Sequence, residues 1–146
     1  MPDGNITAII QGRKRFQLEE IIEQEPYFKA KITPLVETKP TDKDEEFNAL
    51  VSSINDLALR IIDESPNIPS EASIAIKNIN NTSFLINFVS SNMNIDPLKK
   101  QSLLEQIDLK KRAISALELM TKELQILEMK NEIQSKVRTD LDKQQR

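Results

Sequence analysis

Asp42, Asp44, Glu45 and Glu46 place four carboxylates within five positions, and paired carboxylates are what general acid–base chemistry uses. They stand where a helix is expected to begin, however, and acids there are explained by the positive end of the helix dipole. Ser102 close to Lys99 and Lys100 supplies the residue types of a serine–lysine dyad. Nothing around them suggests an oxyanion hole, and surface positions on a helix are the favoured reading. Met93, Met120 and Met129 read as packing residues rather than a substrate-gripping surface. The chain has no cysteine and no histidine, which excludes a zinc site, a disulfide framework and thiol or imidazole catalysis. A carboxylate-only Mg²⁺ or Ca²⁺ site remains chemically open, but no EF-hand loop pattern is present. The two glycines, Gly4 and Gly12, are too few for a glycine-rich phosphate cradle. From residues alone, this is a non-catalytic chain.

The elements that would position these side chains fall into two kinds. Pro2-Asp3-Gly4-Asn5 is turn chemistry, because Asp and Asn bond locally to backbone and Gly supplies positive φ. Ile6 to Ile10 then reads as a short strand, interrupted by Gly12 as a bulge or corner would interrupt it. Arg13 to Glu23, carrying Phe16, Leu18, Ile21 and Ile22, reads as a kinked strand. Glu25-Pro26 marks a turn. Phe28, Ala30 and Ile32 alternate with Lys29, Lys31 and Thr33, the period of a half-buried strand. About three strands are expected.

Pro34, Pro40 and the polar stretch between Glu37 and Asp44 mark a boundary, after which the period becomes helical. Thr41 is the expected N-cap, with Asp44 completing a capping box. Phe47, Leu50, Val51, Ile54, Leu57, Ala58 and Ile61 recur at three- and four-residue steps. Ser65-Pro66 and Pro69 end that helix. Short helices are expected over Ser70–Ile79 and around Phe84–Val89. Asp96-Pro97 starts another, with the carboxylate as cap and proline where no amide proton is needed. Asp108 reads as the cap of the last.

From Leu109 to Arg146 the chain has no Pro or Gly, and 38 helical residues would extend about 57 Å. Ala113, Leu117, Met120, Leu124 and Leu127 form a 4-3-4-3 seam suited to core or coiled-coil packing. Beyond it Met129, Ile133, Val137 and Leu141 recur every fourth residue, a thin stripe drifting about 40° per step. The helix thus divides into a packing half up to Leu127 and, from residue 128, a protruding arm that packs on something else or ends in solvent.

Charge is unevenly placed: residues 1–40 are neutral, 41–107 carry −5 and 108–146 carry +2. An acidic middle argues against a dedicated nucleic-acid binder. The triplets Arg13-Lys14-Arg15 and Lys110-Lys111-Arg112 lack interleaved aromatics and read as ordinary solvated charge. No 18-residue apolar run and no signal-peptide pattern occur, so a soluble, cytoplasmic protein without a membrane partner is expected.

Several landmarks occur in a telling order. Pro2-Asp3-Gly4 precedes a strand, then come Gly12, Arg15 and Phe16, and Phe28, Lys29 and Ala30 open the next strand. Ile68-Pro69, the helix from Phe84 to Val89, and Gln101-Ser102-Leu103-Leu104-Glu105 follow. The segment from Glu118 ends in Gln144-Gln145-Arg146. Across essentially its whole length the chain resembles the N-terminal region of Lon family ATP-dependent proteases. It departs from the family's pattern in lacking the strands before the Pro2-Asp3-Gly4 turn, the Walker motifs and the protease dyad, so it reads as an internal piece of such a protease.

The expected fold is α+β: a partial antiparallel β-subdomain followed by a helical bundle ending in a long extended α-helix. Residues 1–40 would be the end of the Lon-type β-domain, 41–127 the bundle, and 128–146 the protruding helix end leading toward the ATPase module. The resemblance implies substrate recognition and assembly for a protease that degrades damaged or misfolded proteins. It also implies a homohexameric ring, with ATP and Mg²⁺ used by the parent enzyme and no cofactor in this segment. All six aromatics lie in the β-portion or the bundle, and Phe16, Tyr27, Phe28, Phe84 and Phe88, with Met93, are the candidate substrate contacts. Ala113, Leu117, Met120, Leu124, Leu127, Ile133, Val137 and Leu141 are the candidates for packing or assembly. Two other readings stay open: a helical scaffold or adaptor dimerising through Leu109–Leu141, and a nucleic-acid-binding accessory domain.

Overall fold

Residues 4–8 and 10–144 are described by a computed structural model, and the chain divides into two units between Glu37 and Thr38. The architecture is α+β, with two strands followed by five helices.

In the first unit, β1 (Phe16–Glu23) and β2 (Lys29–Pro34) pair antiparallel. Leu18 faces Ile32 across the pair, and Glu20 and Glu23 face Lys31 and Lys29, so apolar and opposite-charge partners set the register. Lys29 Nζ lies 3.5 Å from Glu23 Oε2, and Thr33 donates to Glu19 at 2.8 Å. The pairing register shifts between Leu18 and Glu20 and again between Ile21 and Glu23. Two expectations fail here. The described residues of Ile6–Ile10 form no strand, while Ile9, like Pro2-Asp3 of the preceding turn, lies outside the described residues. The β2 alternation is present, but every β2 side chain is exposed, because no described element of this unit covers either face of the two-stranded sheet.

The second unit contains α1 (Glu45–Glu64), α2 (Glu71–Lys77), α3 (Thr82–Asn92), α4 (Pro97–Glu105) and α5 (Leu109–Gln144). Thr41 is not the cap of α1. Residues 41–44 form a turn closed by the Asp44 N–H on the Thr41 carbonyl at 3.1 Å, so helical geometry starts only at Glu45. Asp44 takes the cap instead, its Oδ1 accepting the Phe47 N–H at 2.9 Å. Asn81 caps α3, and Asp96 caps α4 with Pro97 at its first position. Asp108 Oδ1 accepts the Lys111 N–H at 3.1 Å at the start of α5.

The core runs along α1 and α5. Phe47, Ile54, Ala58 and Ile61 from α1 meet Leu109, Ala113, Ala116, Met120 and Leu124 from α5. Ile76, Leu85, Ile86, Val89 and Leu103 from the shorter helices close it. Full burial of a side chain such as Ile54 or Ile86 contributes about 1.5–3 kcal/mol. Thr38 is paired with this layer: its N–H donates to the Ile107 carbonyl at 2.9 Å and its carbonyl accepts the Leu109 N–H at 2.8 Å.

The basic triplets are only partly solvated charge. Arg112 is 1% exposed, and its Nε and Nη2 donate to the Gln106 carbonyl at 2.9 and 2.6 Å. It thereby satisfies an orphan carbonyl at the end of α4. Lys110 is ion-paired to Asp44, and in the first unit Arg15 is paired to Glu37 at 3.3 Å. Arg13, Lys14 and Lys111 are exposed as expected.

Candidate functional site

A groove of about 830 Å³ opens beside the α1–α5 core. Its volume lies toward the upper end of the ~300–1,000 Å³ typical of binding pockets. The C-terminal half of α1 contributes Ala58, Ile61 and Ile62, because the apolar face of this helix continues to its last turn. Pro66, with Ile68 just after it, prevents α1 from continuing and leaves an apolar loop at one side. Phe88 and Val89 of α3 and Leu119, Ile126 and Leu127 of α5 complete the apolar lining. Asn131 pins the far end: its Nδ2 donates to the Glu64 backbone carbonyl and to Glu64 Oε2, each at 2.9 Å. Near the α3–α4 loop, Glu123 Oε1 accepts the Asn94 N–H at 3.2 Å.

The candidate contacts are distributed over both units. Phe88 lines the groove, and Phe84 stacks on it with ring centroids 6.1 Å apart. Met93 borders the same groove but is only 4% exposed, so its side chain belongs chiefly to the core; Met120 is likewise buried, whereas Met129, also expected to pack, is exposed. In the first unit, Phe16, Tyr27 and Phe28 are each more than half exposed, and Lys29 Nζ sits 5.3 Å from the Tyr27 ring centroid. Of the long-helix candidates, Ala113, Met120 and Leu124 are buried and Leu117 and Leu127 pack at the core edge. Ile133, Val137 and Leu141 are 53–55% exposed. The groove residues Leu119 and Ile126 were not singled out in the sequence. They lie seven residues apart beside the 4-3-4-3 seam, and that second apolar line is the signal that marks them.

Among the chemistry-bearing groups, Asp44, Glu46 and Lys100 have structural partners. The Asp44 carboxyl is held below the ordinary aspartate range, first by the Phe47 N–H and then by the Lys110 ammonium. The Lys110 ammonium is correspondingly raised above the ordinary lysine range by its hydrogen bond to Asp44. Lys100 Nζ donates to the Ser91 carbonyl at 2.9 Å, and no hydrogen bond joins Ser102 to Lys99 or Lys100 among the described residues. No group of three acids among the described residues is placed to hold a metal ion. Gly12 stands in open space, with nothing within 4 Å of where a Cβ would lie. What the groove offers is an apolar surface, open at its rim.

Residues 1–122 match the family model of the ATP-dependent protease La (LON) substrate-binding domain. The chain belongs to this family. Similarity to Lon proteases extends over all 146 residues: 58% identity with that of Flavobacterium johnsoniae, 48% with that of Karelsulcia muelleri and 46% with that of Cytophaga hutchinsonii. The chain spans 17–18% of the length of these relatives. The Lon substrate-binding match thus covers the β-hairpin unit, α1 to α4 and the first part of α5, including most of the groove. No helix among the described residues is long and apolar enough to cross a membrane.

Proposed function

We propose that this chain is the substrate-recognition and assembly region of a Lon-type ATP-dependent serine protease that degrades damaged or misfolded proteins in the cytoplasm. The observation that carries this reading is the open apolar groove of the helical unit, within a chain that belongs to the Lon substrate-binding family. Unfolded chains expose apolar side chains that folded proteins bury, and such a groove discriminates between them by burial alone. Phe84 and Phe88 at the groove, and Phe16, Tyr27 and Phe28 on the hairpin, are the contacts. ATP hydrolysis with Mg²⁺ and peptide cleavage are assigned to other parts of the relatives' length, not to this chain. Ile133, Val137 and Leu141 are assigned to packing against those parts or against other subunits of a homohexameric ring. Nucleic acid and membranes have no role in this reading.

Fluorescence anisotropy of a labelled, permanently unfolded protein titrated with the purified chain tests it. Saturable binding in the high micromolar range is expected, since one small surface must offset the ordering of a flexible chain. Failure to bind up to millimolar concentration contradicts the reading.

A further inference from the structure

The rim of the groove carries charges that are unequally committed. Asp96 Oδ1 accepts the Leu98 N–H at 2.9 Å and Glu123 Oε1 accepts the Asn94 N–H, so both rim carboxylates face backbone donors of the fold itself. Lys99, Lys122 and Lys130 line the same groove and are exposed. Among the described residues none of these three ammonium groups takes part in an ion pair or hydrogen bond.

Two of the lysines frame the groove's most exposed apolar side chain on α5. Ile126, 49% exposed, is four residues from Lys122 and four from Lys130, so the three form one i, i+4, i+8 ridge. The lysines are about 12 Å apart along the helix axis. An extended peptide covers that distance in about four residues. We propose that the groove prefers an apolar stretch of unfolded polypeptide flanked on both sides by carboxylates, selected by Lys99, Lys122 and Lys130. This inference rests on the recognition reading and adds to it which flanks are chosen.

The apolar lining contributes burial without regard to sequence. The ammonium groups, on flexible stems, reach carboxylates at either end and leave basic flanks facing like charge. The selection runs against the overall field, because the chain carries a net charge of −3 and by itself favours basic peptides. A preference for acidic flanks therefore reports the local lysines and not the molecule as a whole.

The test uses the 146-residue chain and three fluorescent peptides that share a Leu-Phe-Ile-Val centre and carry Glu, Ser or Lys pairs on both sides. The Glu-flanked peptide is expected to bind about three- to tenfold more tightly than the Ser-flanked one, with the Lys-flanked peptide weakest. Raising salt from about 0.05 M to about 0.5 M should compress the differences. The triple variant Lys99→Gln, Lys122→Gln, Lys130→Gln changes only exposed side chains and should bring the three affinities within about twofold. Ile126→Gln should weaken all three peptides together. Equal binding of the three peptides, or a preference that survives in the triple variant, overturns the inference. Equal binding that is still weakened by Ile126→Gln leaves the recognition reading standing, whereas absence of binding by every peptide and by unfolded protein overturns both.

Discussion

Lys110 Nζ lies 3.0 Å from Asp44 Oδ2 and 3.4 Å from Glu46 Oε2, tying the first turn of the long helix to the start of α1. The same Asp44 carboxylate caps α1 through the Phe47 N–H, so one group serves two helix starts. Because its folded-state pKa is depressed, the unfolded state binds more protons in the acid range. Its contribution is fully present above the unfolded aspartate value of about 3.9 and is lost as pH falls through the lower folded value. Lys110 has the opposite sign: its contribution is present below about 10.4 and is lost as pH rises through its raised folded value. Asp44→Asn, which keeps a capping oxygen but no charge, should flatten the fall of urea midpoint between about pH 5 and pH 2. An unchanged acid limb would remove Asp44 from the account.

The two halves of α5 should respond differently to truncation. Met120 is fully buried, and Met120→Ala should cost about 2–5 kcal/mol by urea denaturation. Val137, half exposed on the stripe, should lose no more than about 0.5 kcal/mol on Val137→Ala. Comparable losses at both sites would mean that the outer half is packed as tightly as the inner.

Arg112 should behave as a structural residue despite its charge. Arg112→Leu removes the donors to the Gln106 carbonyl and should destabilise the helical unit by about 1–3 kcal/mol. Arg112→Lys should not restore the loss, since one ammonium does not reproduce the guanidinium fork that also reaches Asn87 Oδ1 at 3.2 Å. Wild-type stability in Arg112→Leu would contradict this assignment.

Amide exchange should separate the same two halves of the helix. Residues 113–127 include the buried seam, whereas the apolar residues Ile133, Val137 and Leu141 are about half exposed. A helix segment without tertiary packing is marginal in water, so amides in 132–144 should exchange faster than those in 113–127. Equal, strong protection would indicate a partner for the arm, most simply a second copy of the chain.

Much of this arrangement was legible in residue spacing. Asp96-Pro97 announced α4, and the 4-3-4-3 seam from Ala113 announced the buried half of α5, because caps and helical periods act locally. The cap of α1 was misplaced from Asp44 to Thr41 because both suit the role, and the backbone turn over 41–44 decided between them. Arg112 read as solvated charge because its partners, Gln106 and Asn87, come together only when the helices pack. The groove escaped for the same reason: Ile62, Ile68, Leu119 and Ile126 lie off the main stripes, and their convergence depends on tertiary structure. The strand expected over Ile6–Ile10 was an apolar run for which the described chain supplies no pairing partner.

The most direct test of recognition is a methyl and amide NMR titration of the chain with one protein in two states, native and permanently unfolded. The account predicts that the unfolded form shifts the resonances of Phe88, Leu119 and Ile126 in a saturable way while the native form leaves them in place. Equal shifts from both forms, or none from the unfolded one, would contradict it.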